Sequence, residues 1–85
     1  MAAPLLIASF DPKSLFGQKL RELRLAAGFS QEELAHRAGV DRTYVSSCER
    51  GRRNLTLEAI VKFAIALNVK PSLLLTKLDE TEANP

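Results

Sequence analysis

The sequence predicts an all-α domain of five helices, and three observations carry that prediction. Apolar residues recur at spacings of three and four through most of the chain, the period of a helix with one buried face. Side chains able to accept a hydrogen bond from a first helical turn (Asp11, Ser30, Asp41 and Thr56) stand before these stretches. Residues that tolerate a left-handed backbone (Gly28, Gly39, Gly51 and Asn68) stand after them.

Residues 1–10, MAAPLLIASF, read as an N-terminal arm whose Leu5, Leu6 and Ile7 either cover an apolar surface or stay loose. The first helix opens at Asp11 as cap, with Pro12 in the first helical position. Leu15, Phe16, Leu20, Leu23 and Ala27 form its inward stripe, and Gly28 stops it. Ser30 followed three residues later by Glu33 is a capping box, and Phe29 with Leu34 resembles a hydrophobic staple. The second helix then runs from Gln31 to about Ala38, with Leu34, Ala35 and Ala38 inward. Ala35 and Gly39 are small, as close backbone approach between two steeply crossed helices requires.

Val40 plugs the turn, and Asp41 caps a third helix from Arg42 to about Arg50. Val45, Cys48 and Glu49 face inward there, while Arg42, Thr43, Ser46 and Ser47 form a short polar outer arc suited to entering a groove. Arg52, Arg53 and Asn54 follow Gly51 as a basic turn. Thr56 caps the fourth helix, Leu57 to Leu67, with Leu57, Ile60, Val61, Ala64 and Leu67 inward. Pro71 opens the fifth, which carries Leu73, Leu74, Leu75 and Leu78. Three consecutive leucines cannot all face one small core, so at least one belongs at a partner surface or under the arm. The chain reads as one domain over residues 1–85, with a core at 12–78 and a frayed tail at 80–85.

Eighty-five residues, 46% of them hydrophobic, suit a small folded domain, and a homodimer would extend its limited core. One cysteine, Cys48, rules out an intramolecular disulfide and cannot bind a metal alone, which fits a reducing compartment. The N-terminus has no basic region before its apolar run, and that run is too short to span a bilayer, so a cytoplasmic protein is expected. The net charge of +2 hides an asymmetry. Residues 1–78 hold twelve basic and seven acidic side chains, with Arg42, Arg50, Arg52 and Arg53 inside twelve positions. Such a patch suits a polyanion. A Gly-rich phosphate loop, paired acids, a ligand cluster and a nucleophile–base pair are all missing, so neither an enzyme nor a cofactor or metal site is expected.

Ser30-Gln31-x-x-Leu34-Ala35 opening the second helix, with Tyr44-Val45-Ser46-x-x-Glu49-x-Gly51 ending the third, resembles the Cro/C1-type (Xre-like) helix-turn-helix family. Leu67, Val69 and the leucines of the fifth helix extend the match, which implies a five-helix lambda-repressor-like DNA-binding domain. More narrowly, Asp41 to Ser46 and Glu49 to Asn54 are similar to the controller proteins of restriction–modification systems, small dimeric regulators of their own operon.

The start of the third helix is the end that typically points into the major groove, where arginine can pair with guanine and threonine can meet a base edge. The resemblance therefore places base reading at Arg42, Thr43, Ser46 and Ser47. Phosphate contacts fall to Ser30, Gln31, Arg37, Tyr44, Arg50, Arg52, Arg53 and Asn54, with Arg50 also placed to complement its helix dipole. Periodicity turns Arg24 and Glu49 inward, and the resemblance pairs them as a structural salt bridge. Leu55, Leu74, Leu75 and Leu78 are the dimer candidates. The expected partners are double-stranded DNA at an inverted repeat and a second copy of the chain, with RNA polymerase as a further candidate. The alternative is a phage-type repressor, or an antitoxin whose main partner is a protein bound through residues 1–10.

Overall fold

The computed structural model describes residues 11–79, which form six helices. These are α1 (Pro12–Ala26), α2 (Gln31–Ala38), α3 (Arg42–Glu49), α4 (Leu57–Leu67), α5 (Pro71–Leu74) and α6 (Thr76–Asp79). The arm at 1–10 and the tail from residue 80 lie outside the described residues, and with them the roles expected of Leu5, Leu6 and Ile7.

Local chemistry sets most boundaries. Asp11 accepts from the Lys13 N–H at 3.2 Å, Ser30 from Glu33 at 2.9 Å and Thr56 from Ala59 at 3.1 Å, each satisfying an N–H that the first turn leaves unpaired. The capping box closes one way only, because the Glu33 carboxylate turns to Arg37 Nε at 2.6 Å. Asn68 ends α4 in the left-handed conformation with φ 58°. Asp41 stands at the N-cap of α3, yet its side chain caps nothing, contrary to expectation. The first turn of α3 is held instead by the Asp41 carbonyl, which accepts from Tyr44 at 3.0 Å and Val45 at 3.3 Å.

The core lies where α1, α2, α3, α4 and α5 meet, with Leu20, Leu34, Val45, Cys48, Phe63 and Leu74 fully enclosed. Phe63 replaces two residues expected there, since Leu57 is 79% exposed and Val61 43%. Two overlapping stripes on α4 share the helical period, and the bulkier ring takes the interior. It stacks on Tyr44 with ring centroids 6.1 Å apart. Ala27 is also exposed, beyond the end of α1. Leu74 is part of the monomer's own core, which removes it from any partner surface. The expected fifth helix is broken at Leu75 into α5 and α6. The Thr76 hydroxyl donates to the Leu73 carbonyl at 3.0 Å, supplying a side-chain partner at the break.

Close approach occurs elsewhere than expected. Around Gly39 there is open space, so its glycine answers to a φ of 73° rather than to a neighbouring backbone. The tight contact is at Gly17 on α1, where a Cβ would run into the carbonyl oxygens of Cys48 and Glu49 on α3. Gly51, just after α3, lies in the same way against Ser14. Together they bring α1 against the C-terminal end of α3. Phe63→Ala is expected to lower urea-unfolding stability by about 3–5 kcal/mol. A loss below about 1 kcal/mol would place the ring outside the core.

Candidate nucleic-acid interface

One buried ion pair organises this surface. Arg24, from the last turn of α1, meets Glu49, the last residue of α3, with Nε–Oε2 at 2.6 Å and Nη2–Oε1 at 3.0 Å. The two side chains are only 9% and 5% exposed. The remaining guanidinium nitrogen, Nη1, donates to the Phe29 carbonyl at 2.9 Å, so the pair also holds the α1–α2 connection.

With its C-terminal end held this way, α3 presents its other end outward. Arg42 and Thr43 are exposed, and Ser46 and Ser47 are half-buried beside them. Arg50 Nη1 donates to the Ser46 hydroxyl at 2.8 Å, so these two act together rather than as separate contacts. In the turn after α3, Arg52 and Asn54 are exposed. Arg53 lies over the Tyr44 ring, 5.3 Å from its centroid. The Tyr44 ring thus contacts both Phe63 and a guanidinium.

Three expected phosphate ligands have partners within the chain. Gln31, half-buried at the start of α2, donates from Nε2 to Glu49 Oε1 at 3.0 Å, and its Oε1 faces Arg42 Nη1 at 3.4 Å. Arg37 pairs with Glu33, covers the Phe29 ring at 4.4 Å and borders Ile65 and Ala66 of α4. It is not gathered with the residues of α3. Ser30 spends its hydroxyl oxygen on the cap of α2. The structure thus brings together Gln31, Arg42, Ser46 and Arg50 at one edge, with Thr43 and the turn at 52–54 nearby in the chain.

A family model described as helix-turn-helix matches residues 20–74, from within α1 to the end of α5. The chain belongs to the helix-turn-helix family. It is a Cro/C1-type member and is similar to restriction–modification controller proteins. Control protein C.BamHI of Bacillus amyloliquefaciens is 50% identical over 62 residues, covering 72% of this chain and 76% of that one. The crystal structure of controller protein C.AhdI from Aeromonas hydrophila superposes with a TM-score of 0.74 at 51% identity, covering 76% of this chain and 98% of that one. The C.Esp1396I tetramer in complex with its natural 35 base-pair operator matches with a TM-score of 0.71 at 32% identity, over 81% and 91% of the two chains. These relatives are regulators and controller proteins rather than enzymes. No helix among the described residues is long and apolar enough to cross a membrane.

Within this helix-turn-helix domain, Phe63 and Gly17 support the site from behind, Phe63 against Tyr44 and Gly17 against the Glu49 carbonyl, and sequence reasoning missed both. A single aromatic amid aliphatic residues was the available signal for Phe63. For Gly17 there was none beyond its being a glycine inside a helix.

Cys48, behind the surface, behaves as core. Burial pushes its thiol from an ordinary 9.0 up to about 11, against a smaller lowering by the neighbouring Tyr44 hydroxyl. A thiol raised in this way binds its proton more tightly when folded. The stability it contributes is whole below pH 9.0 and is lost as pH rises through about 11. Tyr44 is raised too, chiefly by burial, and acts in the same direction. Urea-unfolding stability should therefore fall across this alkaline range, and Cys48→Ala should make the fall shallower. An unchanged slope in Cys48→Ala would mean the thiol is not sealed in the core.

Proposed function

We propose that the chain is a sequence-specific regulator that binds double-stranded DNA as a homodimer at an inverted repeat, and that it controls its own restriction–modification operon in the cytoplasm. The observation that carries this reading is the exposed N-terminal turn of α3, bearing Arg42 and Thr43 on a helix whose other end is fixed by Arg24 and Glu49. A major groove admits such a helix, and an arginine there can take the O6 and N7 of a guanine while threonine meets a thymine methyl or a base edge. Ser46 and Ser47 continue the reading arc. Phosphate contacts from Arg50, Arg52, Arg53, Asn54 and the start of α2 would hold the register. The controller-protein relatives support the choice of operon, and the tetramer of C.Esp1396I on its operator supports assembly of more than one copy.

For the dimer surface, we take the exposed Leu57 and Val61 of α4 together with the half-buried Leu55, Leu75 and Leu78. Leu57 and Val61 leave apolar area that one copy does not cover, and burying it is the simplest source of association energy. Two copies so joined would place their third helices about 34 Å apart, in successive major grooves. Nothing on the described surface singles out RNA polymerase as a partner, and it forms no part of the proposal.

Gel shift and footprinting on the DNA upstream of the chain's own gene test the reading. Protection of an inverted repeat is expected, weakening steeply with salt. Arg42→Ala should cost about 1–3 kcal/mol at one base pair of each half-site and relax the preference there, whereas Arg52→Ala should weaken all sequences alike and lower the salt slope by about one per subunit. Absence of any protected repeat at low salt would sink the autoregulatory role.

A further inference from the structure

A groove of about 170 Å³ opens where the start of α1, the first turn of α4 and the break between α5 and α6 adjoin the turn after α3. Phe16, Leu55, Ile60, Leu75 and Leu78 line it with apolar surface. An apolar cavity of about 150 Å³ takes a guest the size of benzene, so this groove has room for a branched aliphatic side chain. Leu55, Ile60 and Leu75 pack against the core yet stay half-buried, which leaves apolar area for a cover. Two exposed cations, Lys13 and Arg53, complete much of the lining. They disfavour a basic occupant, and their N–H groups suit the carbonyl oxygens of an extended chain.

We infer that this groove is the docking site of the chain's own N-terminal arm, with Leu5, Leu6 and Ile7 supplying the side chain that fills it. The arm joins the described residues at Asp11, and Pro12 itself lines the groove, so the arm sets out from the groove's edge. Ile7 is five residues from Pro12 and Leu5 is seven, spans of at most about 17 and 24 Å. Both reach the groove, and a short tether raises the arm's effective concentration there far above that of a free peptide. Residues 1–10 hold no charged side chain. None of them is repelled by Lys13 and Arg53, and none is drawn to a phosphate backbone. The surface proposed above for a second copy shares Leu55, Leu75 and Leu78 with this groove. Docking gives their groove side to the arm and leaves Leu57 and Val61, which lie outside it, to carry association. The inference does not depend on the DNA-reading proposal.

The test is methyl NMR on the full wild-type chain without DNA. Nuclear Overhauser contacts are expected from the methyls of Leu5, Leu6 or Ile7 to those of Leu55, Ile60 or Leu75. In a mixture of labelled and unlabelled chains, isotope filtering should show that these contacts stay within one chain. A full-length variant carrying Leu5→Ser, Leu6→Ser and Ile7→Ser should shift the Ile60 methyl and melt about 5 °C or more below wild type at the same concentration. Its sedimentation should match that of wild type. Absence of any contact between arm and groove methyls would overturn the inference, whatever the variant does. Contacts found only between labelled and unlabelled chains would overturn it too, by showing an arm exchanged between copies. A variant that sediments as a smaller species would place the arm between copies, and contacts that arise only on adding a duplex would make it a DNA-dependent element; either result rejects docking in the free chain. The NMR contacts are read on wild type, so they decide the matter even if the variant fails to fold.

Discussion

Two helices and the connection into a third meet at the Arg24 guanidinium, and the presentation of α3 depends on it. Arg24 comes from α1, Glu49 from α3, and the Phe29 carbonyl from the connection into α2. All three guanidinium nitrogens and both carboxylate oxygens have partners, which is the condition under which burial of two charges is tolerated. An apolar pair of similar volume could stabilise the fold as well or better, whereas loss of one partner leaves a buried charge at a cost of about 3–5 kcal/mol. The pair is therefore best understood through direction. A guanidinium fork and a carboxylate meet in one plane, so they set the angle between helices as interlocking aliphatic side chains do not.

Packing reinforces the same end of α3. Gly17 lets α1 rest on the carbonyls of Cys48 and Glu49, and Gly51 lets the following turn rest on Ser14. Val45 and Cys48 bury one side of α3, and Phe63 fills the interior beneath Tyr44. All but the stacking of Phe63 on Tyr44 act on the middle or C-terminal half of the helix. Its first turn, with Arg42 and Thr43 exposed and no side-chain cap from Asp41, is left to project. An element held rigidly at one end and open at the other suits recognition, because the open end keeps its place without being covered.

How much of this was legible in the sequence follows from the range of each interaction. Caps at Asp11, Ser30 and Thr56 and the left-handed Asn68 involve neighbours two to five residues apart, and residue type alone foretold them. Periodicity turned Arg24 and Glu49 inward, although their pairing came through resemblance to a family and not through spacing. On α4 periodicity could not choose between the stripe containing Leu57 and Val61 and the one containing Phe63, since both fit the helical period. That choice is made by the shape of the space left by α2 and α3. The role of Gly17 was illegible for a similar reason, as its partner carbonyls lie about thirty residues away in the chain. The Asp41 cap and the unbroken fifth helix were local expectations that tertiary contacts overrode.

For the arginines, what matters is less their number than the partner each one keeps. Arg24 and Arg37 are matched to carboxylates, Glu49 and Glu33. Drawing either toward a phosphate would leave an acid behind, and for the buried Glu49 that acid would be costly. Arg42, Arg50 and Arg53 rest instead on an amide oxygen, a hydroxyl and an aromatic face. Neutral partners order these side chains without cancelling their charge. Exchanging such a contact for a phosphate or a base edge abandons only a group that water can satisfy at the surface. The arginines on the α3 side are thus held in place yet still positive, while those committed to acids lie elsewhere. Composition shows how many basic residues the chain has; the chemistry of their partners decides which of them a polyanion can recruit.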